Sequence, residues 1–424
     1  MSGPLSTIST LRCIACGHVA STATARFHCP SCGDLFAVEH DLDALAQHLG
    51  DPVAAKARFA ARRGRFDLPY ASGVWRYHEL ILPDLPAEAI VSLPEGNTPL
   101  YRRPSLARWA GIDDLLIKHE GENPTLSFKD RGMTAGVSWA RHVGAERVAC
   151  ASTGDTSAAL AAYAAAAELP AIVLLPHEKV SAEQLAQPIS YGARVLALET
   201  DFDGCMALVS ALTERGEIYL LNSMNPFRIE GQKAIGIETV EELAWTVPDW
   251  FVLPVGNAGN ISALAKGLFE LHALGLIDRL PRIAGVQAAL ADPFYRSYRG
   301  GFATRERVTA GPTVASAIRI GDPVSYDKAR AAVQAFDGVV TEVDDATALE
   351  AKAASDAAGV HICPNSAVAL AGAERLRSEG IIAAHERVVV IATAHGAKFA
   401  STTLPYHLDA AIPGARKNPP RVLE

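Results

Sequence analysis

From Val148 onward, short apolar runs alternate with segments long enough to form helices, and this alternation constrains the fold more than any other sequence feature. Parallel strands joined by crossover helices produce such a rhythm, and the helices then cover both faces of a sheet. The predicted strands are 148–151, 171–175, 194–198, 218–221, 251–255, 282–286 and 388–393. The predicted helices are 156–168, 181–191, 205–213, 231–244, 260–274, 347–358 and 366–379. We therefore predict an α/β fold built on open parallel sheets.

The size and charge of the chain limit the number of its domains and the kinds of partner that it can have. Its 424 residues are enough for two or three domains. A formal net charge of -8 argues against a nucleic-acid partner, because proteins that bind the phosphate backbone usually carry a basic excess. No segment is apolar for long enough to span a membrane, and the N-terminus lacks the pattern of a secretory signal. We expect a cytoplasmic protein with no membrane partner.

Four of the seven cysteines form two close pairs near the N-terminus. Cys13 and Cys16 make one CxxC turn, and Cys29 and Cys32 make the other after 12 intervening residues. Each pair is followed by a glycine, which permits the left-handed backbone that such turns need. Two such turns supply the four sulfur ligands that a structural zinc ion prefers. The alternatives are four reduced cysteines without a metal, or a redox-active pair.

The segment around Lys129 is the first candidate for catalytic chemistry. Asn123 and Pro124 break regular structure, and the residues from 130 to 142 are typical of a helix. Lys129 would then lie near the positive end of that helix, with Arg131 two residues further on. Both features disfavour the ammonium form and lower the lysine pKa, as a Schiff-base nucleophile requires. The alternative is an exposed lysine in a polar loop.

Two further segments each connect a predicted strand to a predicted helix. Ser152, Thr153 and Thr156 offer hydroxyl groups at a helix start, where free backbone N–H groups also bind anions. Gly256 and Gly259 let backbone amides wrap closely around a phosphate. The second segment lacks the full dinucleotide and nucleoside-triphosphate patterns, which favours a single phosphate without a nucleotide. The alternatives are a simple helix cap at the first segment and a glycine turn at the second.

The last predicted strand ends at Thr393, with His395 two residues later. A hydroxyl at the carboxyl end of such a strand stands where open α/β sheets bind ligands. A purely structural role for His395 is the alternative.

In this order, these segments resemble the fold-type-II pyridoxal-phosphate enzymes, and among them the threonine synthase family. The resemblance covers about 93–398, and its segments are 93–100, 123–132, 152–156, 222–232, 254–260 and 317–323. It implies two open-sheet α/β domains behind an N-terminal zinc ribbon. The implied domains are a zinc ribbon at 1–40, a large cofactor-binding domain at 41–122 and 223–424, and a small mobile domain at 123–222. It also implies a homodimer.

The resemblance further assigns roles to individual residues. Lys129 would bind pyridoxal 5'-phosphate covalently and then move the α-proton of the substrate, and Thr393 would hydrogen-bond the pyridine nitrogen. The other implied cofactor contacts are Phe128, Asp155, Gly256, Asn257, Ala258, Gly259 and Asn260. The substrate carboxylate would be bound by Ser152, Thr153 and Thr156, and the substrate phosphate by Asn222, Ser223 and Arg228.

The implied reaction converts O-phosphohomoserine and water to threonine and phosphate. Departures from the family pattern are Asp155, Leu126, Asp322 and the segment 363–366. They leave open a related β- or γ-replacement on another phosphorylated amino acid, such as a cysteate-synthase-like reaction. A serine/threonine dehydratase is disfavoured, because the cysteine pairs and the segment 222–232 would lack a purpose. A cofactor-bearing protein without activity is the remaining alternative.

Overall fold

The computed structural model describes residues 8–23, 27–65, 69–152, 154–177, 182–409 and 418–420. The chain divides into two compact units. Unit one comprises Met1–Asn97, Asn123–Glu238 and Ala263–Asp278. Unit two comprises Thr98–Glu122, Thr239–Ser262 and Arg279–Glu424. These boundaries differ from those of the predicted domains. The small mobile domain at 123–222 remains a prediction.

Strands and helices are numbered here in chain order. The strands are β1 (Ser9–Cys13), β2 (Val19–Ala20), β3 (Phe36–His40), β4 (Leu100–Arg102), β5 (Asp114–His119), β6 (Val148–Ala151), β7 (Ala171–Pro176), β8 (Arg194–Leu198), β9 (Tyr219–Leu220), β10 (Trp250–Pro254), β11 (Arg282–Ala288), β12 (Val339–Val343) and β13 (Arg387–Ala392). The helices are α1 (Leu42–Leu49), α2 (Pro52–Arg62), α3 (His78–Ile81), α4 (Pro104–Ala110), α5 (Lys129–His142), α6 (Asp155–Ala166), α7 (Ala182–Ser190), α8 (Phe202–Glu214), α9 (Pro226–Gln232), α10 (Ala234–Glu242), α11 (Gly259–Ala273), α12 (Pro293–Arg299), α13 (Tyr326–Ala335), α14 (Asp345–Ala357), α15 (Pro364–Ser378) and α16 (Ala400–Leu408). No helix among the described residues is long and apolar enough to cross a membrane.

Unit one contains two sheets. Its larger sheet has the order β8-β7-β6-β9, and every pairing in it is parallel, as the alternating sequence pattern predicts. The first sheet along the chain is antiparallel, with the order β2-β1-β3, and it carries the cysteine pairs. The predicted strands at 148–151 and 194–198 have the bounds of β6 and β8.

Three glycines let α5 and α9 pack at very short range within unit one. An added Cβ at Gly132 would lie 3.0 Å from the backbone oxygen of Arg228, and one at Gly136 would lie 3.1 Å from its Cγ. At Gly231 an added Cβ would lie 1.9 Å from the backbone oxygen of Arg131. This close approach places Arg228 against the helix that begins at Lys129.

Substitution of Gly231 by alanine should therefore destabilise the protein. The extra methyl group meets backbone rather than a movable side chain, so the two helices have to separate. We expect the free energy of unfolding to fall by about 3 kcal/mol or more, at the upper end of overpacking costs. Gly300→Ala is the matched control, because an added Cβ there makes only ordinary contacts of 3.5 and 3.7 Å. Denaturant unfolding of both variants tests this, and equal stability of the two contradicts it.

Unit two contains one six-stranded sheet with the order β12-β11-β10-β13-β5-β4. Five strands are parallel, but β4 pairs antiparallel with β5, so the sheet is mixed and the expectation of a purely parallel sheet is wrong here. An antiparallel edge strand needs no crossover helix, so it leaves no trace in the alternating pattern. Buried residues of β10, β11, β13 and α15 form the core of this unit.

Candidate functional site

In unit one, the turn before α5 is held rigid by its own polar groups. The side chain of Asn123 accepts a hydrogen bond from the Gly96 amide at 2.8 Å. Asp130 accepts from the Thr125 amide at 2.7 Å and from the Thr125 hydroxyl at 2.6 Å. The helix begins at Lys129, as the sequence predicts. The lysine is thus held on an ordered helix start rather than in a loose polar loop.

Leu126 lies in this turn with a φ of 66°, in the left-handed region that favours glycine. Its amide donates to the backbone oxygen of Asn123 at 2.8 Å, so the turn constrains the residue to this conformation. A Cβ in the left-handed region costs about 1–2 kcal/mol. Leucine at position 126, where the family usually has a small residue, therefore strains the backbone. This strain lies three residues before Lys129.

This backbone cost predicts an unusual order of stabilities at position 126. Leu126→Gly should be more stable than Leu126→Ala by about 1 kcal/mol, because only glycine takes the left-handed conformation without strain. At an ordinary helical position the order is the reverse. Thermal unfolding of the two variants at one fixed cofactor concentration measures the difference. An alanine variant as stable as the glycine variant would contradict the prediction.

The surroundings of Lys129 favour its neutral amine. Burial and the nearby guanidinium of Arg228 lower the pKa of Lys129 to about 7, and the carboxylate of Asp155 opposes the shift. Its Nζ lies 4.1 Å from the ring centre of Phe128. The sequence predicts a contribution from Arg131, but the Nη2 of Arg131 lies 2.9 Å from the carboxylate of Glu238, which neutralises the charge of the arginine. The lowered pKa is the property that a Schiff-base nucleophile needs.

Arg228 is a buried cation with unused hydrogen-bonding capacity. The residue is only 2% exposed, and its Nη1 donates to the backbone oxygen of Leu221 at 3.1 Å. Its Nε has no hydrogen-bond partner among the residues that the structure describes. Within the ranges that the structure describes, no carboxylate forms an ion pair with it. Burial without a counter-ion lowers its pKa to about 10. A buried guanidinium in this state is suited to bind an anion, because its fork matches phosphate oxygens.

The other predicted substrate contacts of unit one lie around β6. Ser152 accepts a hydrogen bond from the Gly154 amide at 3.3 Å, and α6 begins at Asp155. The side chain of Asn222 is paired with the backbone of Ala151, accepting at 2.9 Å and donating at 2.8 Å. Its amide therefore has one N–H left for another ligand.

Three more predicted contacts complete this set. Thr156 and Ser223 are both partly exposed. Thr153 lies outside the described residues.

In unit two, the turn between β10 and α11 has the backbone of an anion site. Ala258 has a φ of 62°, and a Cβ at Gly256 would lie 2.9 Å from the Cα of Ile318. The side chain of Asn260 donates to the backbone oxygen of Pro254 at 2.6 Å, which closes the turn. Left-handed residues at such turns direct successive N–H groups into a concavity. Asn257 and Gly259, the other predicted contacts in this turn, are partly buried.

Thr393 directly follows β13 and is buried, with two neighbours that we did not predict as site residues. Its amide donates to Ser366 Oγ at 2.8 Å, and the two hydroxyl oxygens lie 3.3 Å apart. Cys363 Sγ lies 3.9 Å from Thr393 Oγ1 and accepts from the Ser366 amide at 3.3 Å. Pro364, at the first position of α15, was the available sequence signal that this segment caps a helix.

A different departure, Asp322, has a local explanation. Its carboxylate pairs with the guanidinium groups of Arg305 and Arg307, and the Arg307 Nε lies 2.9 Å from it. An asparagine here would form neither ion pair. Asp322, where the family usually has asparagine, thus forms part of a cluster of ion-paired side chains.

The four predicted metal ligands near the N-terminus come together. One sulfur each from Cys13, Cys16, Cys29 and Cys32 lies within 4.8 Å of the others. Gly17 and Gly33 both adopt left-handed backbone, with φ values of 73° and 78°, as the sequence predicts. The donor set fits a tetrahedral four-sulfur zinc site.

Comparisons with known proteins agree with these observations. Residues 91–394 match the family described as "Pyridoxal-phosphate dependent enzyme". The chain is 43% identical to the protein named threonine synthase from Methanocaldococcus jannaschii, over 91% of this chain and 92% of that one. It is 44% identical to the protein named threonine synthase 2, chloroplastic, from Arabidopsis thaliana, over 88% of this chain and 74% of that one.

Solved structures support the fold. The crystal structure of threonine synthase from Escherichia coli is similar with a TM-score of 0.67, at 20% identity, over 93% of this chain and 90% of that one. A threonine deaminase isoform from Solanum lycopersicum has a TM-score of 0.63, at 21% identity, over 76% of this chain and 84% of that one. At such identities the likeness concerns the α/β fold and not the substrate.

Proposed function

The chain belongs to the threonine synthase family of pyridoxal-phosphate-dependent enzymes, and on this premise we propose that it converts O-phosphohomoserine and water to threonine and phosphate. The observation that carries the choice of substrate is Arg228. Its buried guanidinium pairs with no carboxylate in the described part of the chain and is close enough to lower the pKa of Lys129, so it is suited to a phosphorylated substrate. Lys129 would hold the cofactor covalently through its Nζ.

Each unit, taken by itself, contains residues that suit one part of the cofactor. In unit one, a lysine with a lowered pKa supplies the amine, beside the ring of Phe128 and the carboxylate of Asp155. When bound, the cofactor supplies an electron sink that stabilises carbanions. The Nζ of Lys129 would take the α-proton of the substrate and return a proton later in the reaction.

In unit two, the turn at 256–259 binds the cofactor phosphate through its backbone N–H groups, with Asn260 closing the turn. The hydroxyl of Thr393 would hydrogen-bond the pyridine nitrogen of the cofactor. Ser366 fixes the position of Thr393, because it accepts from the Thr393 amide.

The substrate is held by its two anionic ends. Its carboxylate binds the helix start formed by Ser152, Thr153 and Thr156, where hydroxyl and amide groups favour an anion. Its phosphate binds Arg228, assisted by the remaining N–H of Asn222 and the hydroxyl of Ser223. The phosphate leaves from the γ carbon, and water adds at the β carbon.

A panel of amino acids with a phosphate readout tests this function. O-phosphohomoserine should give threonine and phosphate in equal amounts. Release of oxobutyrate from threonine or of pyruvate from serine, without phosphate release from O-phosphohomoserine, would favour a dehydratase instead. Faster phosphate release from O-phosphoserine in the presence of sulfite would favour a cysteate-synthase-like enzyme. A change in cofactor absorbance without any turnover would favour a binding protein.

We also propose that the N-terminal cysteines form a zinc ribbon with one structural zinc ion. The purified protein should contain zinc, and Cys16→Ser should lose it and lower the unfolding temperature, because metal binding contributes to folding. His18→Ala is the matched control, since His18 lies beside this site but the four sulfurs already complete the shell. Metal analysis that finds equal zinc in the wild type and in Cys16→Ser contradicts the proposal.

The partner and the compartment complete the proposal. We propose a cytoplasmic homodimer in which 123–222 moves as a small domain. Sedimentation of the purified protein tests the dimer, and a monomer at catalytic concentrations would contradict it.

A further inference from the structure

A second group of metal-ligating side chains lies in unit two, whereas the four cysteines belong to unit one. His119 is the last residue of β5, and Glu122 ends the short turn that follows it. His395 lies three residues after the end of β13, the strand that runs parallel to β5. In the register of these strands His119 is opposite Ala392. The three side chains therefore share the carboxyl edge of two neighbouring strands, where open α/β sheets bind ligands.

The three side chains are close enough to share one ion. One ligand atom from each of His119, Glu122 and His395 lies within 4.8 Å of the others. Gly121 makes this possible, because an added Cβ there would lie 2.4 Å from the His395 backbone nitrogen and 2.6 Å from His119 Cε1. The two chain segments thus approach each other more closely than any other residue would allow.

His119 is prepared as a ligand. Its residue is only 1% exposed, and its Nε2 lies 3.1 Å from the backbone oxygen of His361. Since a carbonyl only accepts, Nε2 carries the proton and the lone pair lies on Nδ1. That Nδ1 is buried and has no hydrogen-bond partner among the described residues. Leaving a buried acceptor unsatisfied costs about 1–3 kcal/mol, whereas a histidine that donates its other N–H to a carbonyl is typical of a metal ligand.

His395 supplies the second imidazole of the group. Its Nδ1 accepts from the Ala397 amide at 3.1 Å. Ala397 is exposed, so water can take over that hydrogen bond when a metal takes the lone pair. Glu122 is exposed as well and gives an ion access from solvent.

We propose that His119, Glu122 and His395 bind a divalent transition-metal ion such as zinc or cobalt. Two imidazoles and one carboxylate are the ligands that such ions take from proteins, and three protein ligands leave a coordination position open for water or another small ligand. The ion would join the end of β5 to the segment that follows Thr393. This site is independent of the proposed reaction, so either can fail without the other.

Cobalt titration of the full-length protein tests the site. After removal of metals with a chelator, we expect the wild type to take up one more cobalt ion per chain than His119→Ala. The additional ion should show visible d–d bands without the thiolate charge-transfer bands of a cysteine site. His385→Ala is the matched control, because His385 is exposed in the same unit and lies outside the group.

A second variant tests the site even if His119→Ala fails to fold. Glu122→Gln changes an exposed side chain and should weaken cobalt binding at this site by at least about tenfold. Equal stoichiometry and affinity in the wild type and Glu122→Gln, or thiolate bands on every bound ion, would overturn the proposal.

Discussion

Lys129→Ala is expected to abolish threonine formation and to leave the purified protein colourless. The variant loses both the covalent link to the cofactor and the group that moves the α-proton, so kcat should fall at least about ten-thousand-fold. Threonine and phosphate release from O-phosphohomoserine measures the loss. Lys56→Ala in α2 is the control, and it should keep both colour and activity.

Borohydride reduction gives this prediction a second readout. Mass spectrometry of the reduced wild type should find the cofactor on Lys129, and the control variant should be labelled at the same residue. An adduct on another lysine, or colour retained by Lys129→Ala, would show that the assignment is wrong.

The pH dependence of cofactor attachment follows from the same residue. The pKa of Lys129 lies at about 7 rather than at its ordinary value of 10.5. Since only the neutral amine attacks an aldehyde, the rate at which cofactor-free protein binds pyridoxal phosphate should rise with pH and level off above about pH 7. Absorbance after rapid mixing measures this rate. A rate that keeps rising towards pH 10 would indicate an unshifted lysine.

The lowered pKa also predicts a trend in stability. Between about pH 7 and 10.5 the unfolded chain binds a proton at this lysine that the folded chain does not. The contribution of Lys129 to the stability of the cofactor-free protein should therefore rise with pH in this range. Lys129→Met should show a weaker rise, because it removes the group responsible.

The sequence predicts those strands and helices that can be recognised from the pattern of neighbouring residues along the chain. Short apolar runs predict the parallel strands β6 and β8 at their bounds, although β6 is buried and β8 is largely exposed. The predicted helix at 231–244 is in fact two helices, α9 and α10, and it begins earlier. The overlooked signal was Asn225, which caps α9 by accepting from the Phe227 amide at 3.0 Å. The strands β4, β5 and β12 are not predicted from the sequence. β4 has only three residues, and the segments around β5 and β12 do not show the regular alternation of apolar runs and helix-length segments.

Contacts between distant parts of the chain are not visible in the sequence. The partner of Arg131 is Glu238, and the partner of Thr393 is Ser366, each separated by many residues. The sequence placed a cation beside Lys129, but it named Arg131 where the structure has Arg228. The residue types of the site followed from local motifs. The pairing of charges needed the folded chain, because packing decides which cation is neutralised.

Arg228→Met is expected to lower kcat/KM for O-phosphohomoserine by about a hundredfold or more, because charge-assisted bonds to the substrate phosphate are lost. Arg228→Lys should recover only part of the activity, since lysine keeps the charge but not the planar fork. The control is threonine, which has no phosphate. Its effect on cofactor absorbance should be the same in all three proteins. Wild-type kcat/KM in Arg228→Met would contradict the proposed substrate site.

The stability of the same variant separates binding from a structural role. In the wild type, Arg228 is buried without an ion pair among the described residues, so its charge destabilises the protein in the absence of phosphate. Arg228→Met should therefore unfold at a higher temperature than the wild type in phosphate-free buffer. Added phosphate should stabilise the wild type and leave the variant unchanged, because a ligand stabilises only the state that binds it. An arginine kept for folding alone gives the opposite order, with the variant less stable under both conditions.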